Sequence, residues 1–292
     1  MSRLLGFFRA VGRSPKLSLG LALLIIVVVV GVLNKWLIGL IRSHIGADPM
    51  AVSPNHWVHP NGKYLLGTDQ YGRDVAAMTL DGLATSLKIG INAGGLSTAI
   101  AIVIAFVAAY RGGLLDSFLS AITDFFLVIP TLPLLIAYSA FAKHVSLLQV
   151  GVILAVFSWP GAARTIRTQV LSLRARSYID LAKVTKLNTF EVIFAELAPN
   201  MLGFLALGLA YAAVASMFAL IGLEVIGLGP SGVIDLGFIL NLATSGGALT
   251  LGAWGIFVAP IAIASVVFFA LTLINVGLEE KYNPRLRKVA GG

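Results

Sequence analysis

Long apolar runs dominate the chain, and they are not spaced as amphipathic stripes. Six are long enough to cross about 30 Å of hydrocarbon, which takes roughly 20 helical residues. They are Leu17–Leu40, Leu87–Tyr110, Leu115–Phe141, Leu147–Ile166, Met201–Ile226 and Leu251–Val276. None alternates apolar and polar residues at the strand period, so the pattern predicts helices and not a barrel. The first run follows Arg3, Arg9, Arg13 and Lys16, as a secretory signal would. Its apolar character continues past Asn34–Lys35 with no small-residue cleavage site, so it reads as a retained anchor. Pro130 and Pro133 should kink the third span, and Pro160 the fourth. Gly90 and Gly94 provide one small-xxx-small step for close helix contact.

Composition fixes the solvent. Of 292 residues, 58% are hydrophobic and only 12% charged, about half the ~25% of soluble domains. Mean hydropathy is +0.93. A soluble domain of this length could not cover that much apolar surface, which leaves lipid. The absence of cysteine excludes a disulfide scaffold, thiolate metal sites and cysteine nucleophiles.

A net charge of +8 raises the question of nucleic acid until the basic residues are located. Four precede the first span, Arg111 lies between the second and third, and Lys281, Arg285, Arg287 and Lys288 follow the last. Arg164, Arg167, Arg174, Arg176, Lys183 and Lys186 lie between the fourth and fifth. The other side of the membrane receives only Lys35, Arg42, Lys63, Arg73, Lys88 and Lys143. The positive-inside rule then predicts that both termini and the loop between spans four and five are cytoplasmic. Membrane topology accounts for the charge without nucleic acid. The expected organisation is an N-terminal tail at 1–16, a six-helix domain at 17–276 and a C-terminal tail at 277–292. The loops at 41–86 and 227–250 fall outside, and the loop at 167–200 inside.

Several kinds of chemistry are missing. Gly67-Thr68-Asp69-Gln70-Tyr71-Gly72-Arg73-Asp74 has the glycine spacing of a phosphate-binding loop. Arg73 and Asp74 stand where the lysine and the magnesium-binding hydroxyl belong. His44, His56, His59 and His144 all fall in outer loops and read as solvated histidines, not metal ligands. Gly229-Pro230-Ser231-Gly232 is not a nucleophile elbow, because Val233 replaces the closing glycine. No span carries paired acids suited to hydrolysis, so the chain is not expected to be an enzyme.

The cytoplasmic loop between spans four and five carries a docking pattern. Ser177 can cap a helix with Asp180 in its first turn. Tyr178, Leu181, Ala182 and Thr185 then fall on one stripe. Leu187-Asn188-Thr189 can turn the chain, and a second helix, Phe190–Leu197, is expected to end before Pro199, which places the start of span five. The pattern reads either as an ordinary basic juxtamembrane helix pair or as a short helix presented for docking into a partner's groove.

These residues resemble the cytoplasmic "EAA" loop of ABC importer permeases. Asp180, Ala182, Ile193, Leu197 and Pro199 fall at matching places, while Lys186 replaces an expected glycine and Leu181 an expected alanine. The stretch Tyr64–Asp74, with Gly67, Thr68, Asp69, Gly72, Arg73 and Asp74, is similar to the outer-loop signature of the oligopeptide/dipeptide branch, second-subunit type. The end, Gly277-Leu-Glu-Glu-Lys-Tyr-Asn283-Pro284-Arg285, is similar to that branch too. The resemblance implies an all-α permease fold of six transmembrane helices in a prokaryotic inner membrane. It implies a homologous second permease subunit, an extracytoplasmic substrate-binding protein and two cytoplasmic ATPases, with ATP and magnesium held only by the ATPases. Tyr178, Asp180, Leu181, Ala182, Thr185 and Lys186 would form the coupling surface. The Trp159–Arg164 run and the Asn-Pro-Arg tail look more like oligosaccharide-type members than peptide-type ones.

Asp124 and Glu224 stand out among the acids within spans. Intramembrane acids are functional candidates by default, with a bond to a neighbouring helix as the alternative. Asp69, Arg73 and Asp74 can make an ion-paired knot holding the Pro-rich outer loop, with Gly67 and Gly72 supplying its turns. The competing function is a secondary transporter acting without an ATPase. It would favour inverted repeats and midplane charges, and the sequence has neither.

Overall fold

The structure, a computed structural model, describes residues 14–41, 48–142, 145–174, 191–230 and 232–282. The described residues are helical with connecting turns, and their one β-bridge pairs Thr68 with Asp74. Among the described residues five helices are long and apolar enough to cross a membrane, or six when one bent pair counts as a span. The chain divides into two compact units, residues 1–87 with 233–292, and residues 88–232.

In the first unit, α1 (Pro15–Val32) starts where Ser14 Oγ accepts the Leu17 amide at 3.4 Å and Pro15 opens the first turn. Proline suits that position because no helical partner waits for its missing N–H. At Leu33 the chain bends into α2 (Asn34–Ile41), so the first apolar run is two helices and not one. Asn34 at the bend is buried and donates to Asp81 Oδ1 at 2.9 Å. The last helix, α9 (Gly255–Tyr282), packs along α1 with backbones nearly touching. A Cβ on Gly20 would lie 2.7 Å from the Ala270 carbonyl oxygen, and one on Gly277 2.8 Å from Leu17 Cβ. Small residues permit this approach, which supplies dispersion contact where lipid leaves little hydrophobic drive between helices. The expected start of this span at Leu251 is displaced to Gly255, because Leu249–Ala253 turns through Gly252 at φ +69°.

The helix α3 (Val75–Arg111) begins well before the expected Leu87. Its first turns carry Asp81 and other polar residues, which hid them from an apolar-run count. Its first part belongs to one unit and the rest to the other. In the second unit, Gly112 and Gly113, both at positive φ, reverse the chain into α4 (Gly113–Val128). α5 (Thr131–Phe141) follows at an angle of 66°. The break is at Ile129–Pro130, both extended, because proline disfavours the helical conformation in the residue before it. α6 (Leu147–Arg174) continues unbroken through Pro160.

A π-helical turn, Val192–Leu197, runs directly into α7 (Ala198–Val225). The separate helix expected over Phe190–Leu197 is therefore corrected: no break precedes Pro199, which sits in the first turn of α7, at the start of the fifth span as expected. There the absent N–H costs nothing, and the Ala198 amide reaches back to the Ile193 carbonyl, five residues earlier. One core of this unit joins Ala105, Phe106 and Ala109 of α3 to Trp159, Ala163, Ile166 and Val170 of α6, with Val192, Ile193 and Leu197 of the π-turn. Within the first unit, α8 (Leu236–Ser245) packs with Val75, Met78 and Ile256.

Candidate functional site

The residues expected to couple to a partner, Tyr178, Asp180, Leu181, Ala182, Thr185 and Lys186, lie outside the described residues. What is described is the root of that segment. It leaves α6 after Arg174 and returns at Glu191, at the head of the π-turn. Arg174 Nη1 donates to the Ala109 carbonyl oxygen at 2.8 Å, occupying an end-of-helix acceptor of α3. Arg167 binds Asp116 in a two-point fork, Nε to Oδ1 and Nη2 to Oδ2, both at 2.6 Å. Asp116 itself lies in the first turn of α4, where a negative charge also suits the helix dipole.

Asp124 of α4 pairs with Arg164 of α6, and both side chains are more than half exposed. Between the two ion pairs lies a cleft of about 220 Å³, lined by Ser120, Thr123 and Ala163 among others. The sequence singled out Asp124 but not Asp116, and it gave Arg164 and Arg167 only a topological role. The missed signal was the coincidence of two acids on one predicted helix with two arginines on the next. Their register is not legible without the turn at Pro130.

Glu224 is buried at the end of α7, 4% exposed, and the Gly229 backbone presses directly on its carboxyl group. A side chain at 229 would collide with that carboxylate. Among the described residues no group of three or more His, Asp or Glu is arranged to hold a metal.

The stretch Gly67–Asp74 forms a tight knot within the first unit. Asp69 and Arg73 form a buried ion pair, with Arg73 Nε donating to Asp69 Oδ2 at 2.6 Å. The other oxygen of Asp69 accepts the Tyr71 and Arg73 amides at 2.8 and 2.9 Å. The Arg73 guanidinium lies 4.6 Å from the Tyr71 ring centroid and 5.9 Å from that of Phe238. Asp74 caps α3, accepting the Ala76 amide at 2.9 Å, because its place just before the helix offers unpaired amides. Thr68 Oγ1 donates to the Asn55 carbonyl at 2.6 Å and accepts the Val58 amide at 2.8 Å. Ser53 Oγ donates to the Gly72 carbonyl at 2.7 Å. These bonds tie the Pro-rich segment 53–60 to the knot. Gly67 and Gly72, at φ +82° and +73°, each face a backbone carbonyl that a side chain would strike.

Asp235, which the sequence reading passed over, caps α8 by accepting the Phe238 amide at 2.7 Å. Its second carboxylate oxygen is buried without a hydrogen-bond partner among the described residues. Burial pushes its carboxyl up to about 6, against the lowering pull of the Phe238 and Gly237 amides.

Residues 101–288 match the family described as "Binding-protein-dependent transport system inner membrane component". A putative peptide transport system permease protein of Brucella suis is 30% identical over 285 residues, covering 96% of this chain and 91% of that one. The oligopeptide transport system permease protein of Mycobacterium tuberculosis is 29% identical, covering 80% of each chain. The dipeptide transport system permease protein of Bacillus subtilis is 28% identical, covering 92% of this chain and 82% of that one. In fold, the chain is similar to one in inward-facing structures of the MetNI methionine ABC transporter. The TM-score is 0.53 at 17% identity, covering 68% of this chain and 96% of that one.

Proposed function

The chain belongs to the family of binding-protein-dependent transport system inner membrane components, and from that premise we propose that it imports peptides as one of two homologous permease subunits. It is a multi-span permease subunit of an ABC importer and not itself an enzyme; ATP is hydrolysed by separate subunits. Its partners in this reading are a second permease, two ATPases holding ATP and magnesium, and an extracytoplasmic binding protein. Peptide is preferred to oligosaccharide because the three relatives described above are all named for peptide transport. The lean of the Trp159–Arg164 run toward oligosaccharides finds no support in those names.

The observation that carries the reading is the family match over 101–288, which takes in the whole segment between α6 and α7. That segment holds the residues resembling a coupling loop, with Asp180 in the first turn of the helix that the sequence predicts there. The skewed distribution of Lys and Arg supports a cytoplasmic position for this loop and for both termini. The knot around Asp69 and Arg73 then lies outside, in a structural role: Arg73 is 5% exposed and has little surface to offer a substrate. ATP-driven closure of the ATPases would shift the docking helix and rock the packed helices between two arrangements.

Gentle purification of the tagged chain from its own membrane tests the assembly. Two ATPase subunits and a second permease are expected to accompany it. A chain that purifies alone and transports alone is the secondary transporter of the competing reading. Protease added to the cytoplasmic face should leave Lys63 uncut; cleavage there would reverse the topology.

A further inference from the structure

The ion pair between Asp116 and Arg167 lies at a mechanical junction. The hairpin Ala109–Asp116 turns on two glycines at positive φ, with no side chain at 112 or 113 to brace it. Two arginines of α6 hold it from the side. Arg167 grips Asp116 just after the turn through the 2.6 Å fork, and Arg174 grips the Ala109 carbonyl just before it. Arg174 is also the last described residue before the 175–190 segment. Its guanidinium packs within 3.3 Å of where a Gly112 side chain would begin, so the turn is closed around it.

The other root of the segment is held differently. Val192, Ile193 and Leu197 are buried against the same stretch of α6 and the end of α3, in one apolar cluster. A displacement of the segment therefore reaches α6 and the π-turn through packing. It reaches the α3–α4 hairpin through apolar packing of α3 on α6 and, at the turn itself, through the Arg167 and Arg174 contacts. The Asp116 fork is largely buried, with side chains 18% and 31% exposed, and bidentate arginine–carboxylate pairs fix orientation as well as distance.

We propose that Asp116 is a positioning residue for transport: through Arg167, and with Arg174 on the Ala109 carbonyl, it clamps the α3–α4 hairpin to α6 so that movement of the 175–190 segment carries the hairpin with it. The proposal rests on the reading of that segment as the coupling loop. Asp116 touches no substrate in this role. Its loss lets the loop move without the hairpin, so ATP is hydrolysed without matching transport.

The test uses the whole transporter in proteoliposomes with its binding protein, measuring ATP hydrolysed per labelled tripeptide taken up. Asp116→Asn is expected to raise that ratio about fivefold or more, the low end of typical coupling between sites. Its assembly yield should stay near that of the parent; its thermal midpoint is expected to fall because Arg167 keeps its charge without the carboxylate, so the ratio is read on assembled transporter only. Asp116→Glu, which keeps the charge, should restore most of the coupling. If Asp116→Asn fails to assemble, Arg174→Gln carries the same expectation, because it opens the hairpin contact and leaves the Asp116 fork intact. An unchanged ratio in the assembled variant overturns the clamp. Asp180→Arg separates the two levels of the argument. If it uncouples while Asp116→Asn does not, the clamp alone is wrong. If Asp180→Arg changes neither assembly nor ratio, the coupling-loop reading falls and the clamp with it.

Discussion

Gly90 of α3 sits against the carbonyl oxygen of Ala213 on α7, so closely that a Cβ at 90 would lie 2.6 Å from it. One turn on, a Cβ at Gly94 would lie 2.5 Å from Ala213 Cα. The lone Gly-xxx-Gly step in the sequence is thus a backbone-to-backbone contact within the second unit. Backbone atoms cannot yield as a flexible side chain can, so Gly90→Ile and Gly94→Ile should each destabilise by about 1–3 kcal/mol or more. Gly95, beside them, has no atom within 4 Å of its notional Cβ. Gly95→Ala should be neutral or stabilising by up to about 1 kcal/mol. Thermal unfolding in detergent compares the three. Equal midpoints for the variants at 94 and 95 would remove the packing role.

Asp69 and Arg73 share a buried pair, and removing one partner strands the other. Arg73→Ala should cost about 3–5 kcal/mol, because it leaves the Asp69 carboxylate buried without its counter-charge. The double variant Asp69→Ala/Arg73→Ala should lose less than Arg73→Ala alone, since no charge is then stranded. Yield and thermal midpoint measure both. An unchanged midpoint with collapsed uptake would assign Arg73 to contact with the binding protein or substrate instead.

Asp235 gives the fold a pH dependence of definite sign. Its folded carboxyl titrates at about 6, above the ordinary value of 3.8. The folded state therefore holds the proton more tightly than the unfolded chain. This stabilisation is fully present below about 3.8 and is lost as pH rises through 6, an effect on the order of 2–3 kcal/mol. Asp235→Asn keeps an oxygen for the Phe238 amide and removes the charge. The thermal midpoint of the parent should fall between pH 4.5 and 7 relative to that of the variant. Parallel pH profiles would show that Asp235 is not responsible.

The membrane spans were legible because lipid demands long apolar runs, and such runs need no tertiary context to be seen. Their ends were less so. Val75–Leu87 is helical although it carries Asp81, whose partner Asn34 lies 47 residues away and is visible only once the chain is folded. Pro199 marks the start of the fifth span as its sequence position suggests, but the π-turn that runs into it without a break has no sequence signal. Asp69, Arg73 and the two glycines were recognisable as a group from their spacing. The capping contact of Asp74 was not, because nothing in the sequence marks Val75 as the start of a helix. Asp116 and Arg167 are 51 residues apart, and only the reversal at Gly112–Gly113 and the bend at Pro130 bring them together.

Peptide uptake into proteoliposomes holding the purified assembly tests the central claim most directly. The account predicts uptake of short peptides that requires both the binding protein and ATP inside the ATPase-bearing compartment, and that stops when ATP hydrolysis is blocked. Uptake by this chain alone, driven by a proton or sodium gradient and indifferent to ATP, would contradict it.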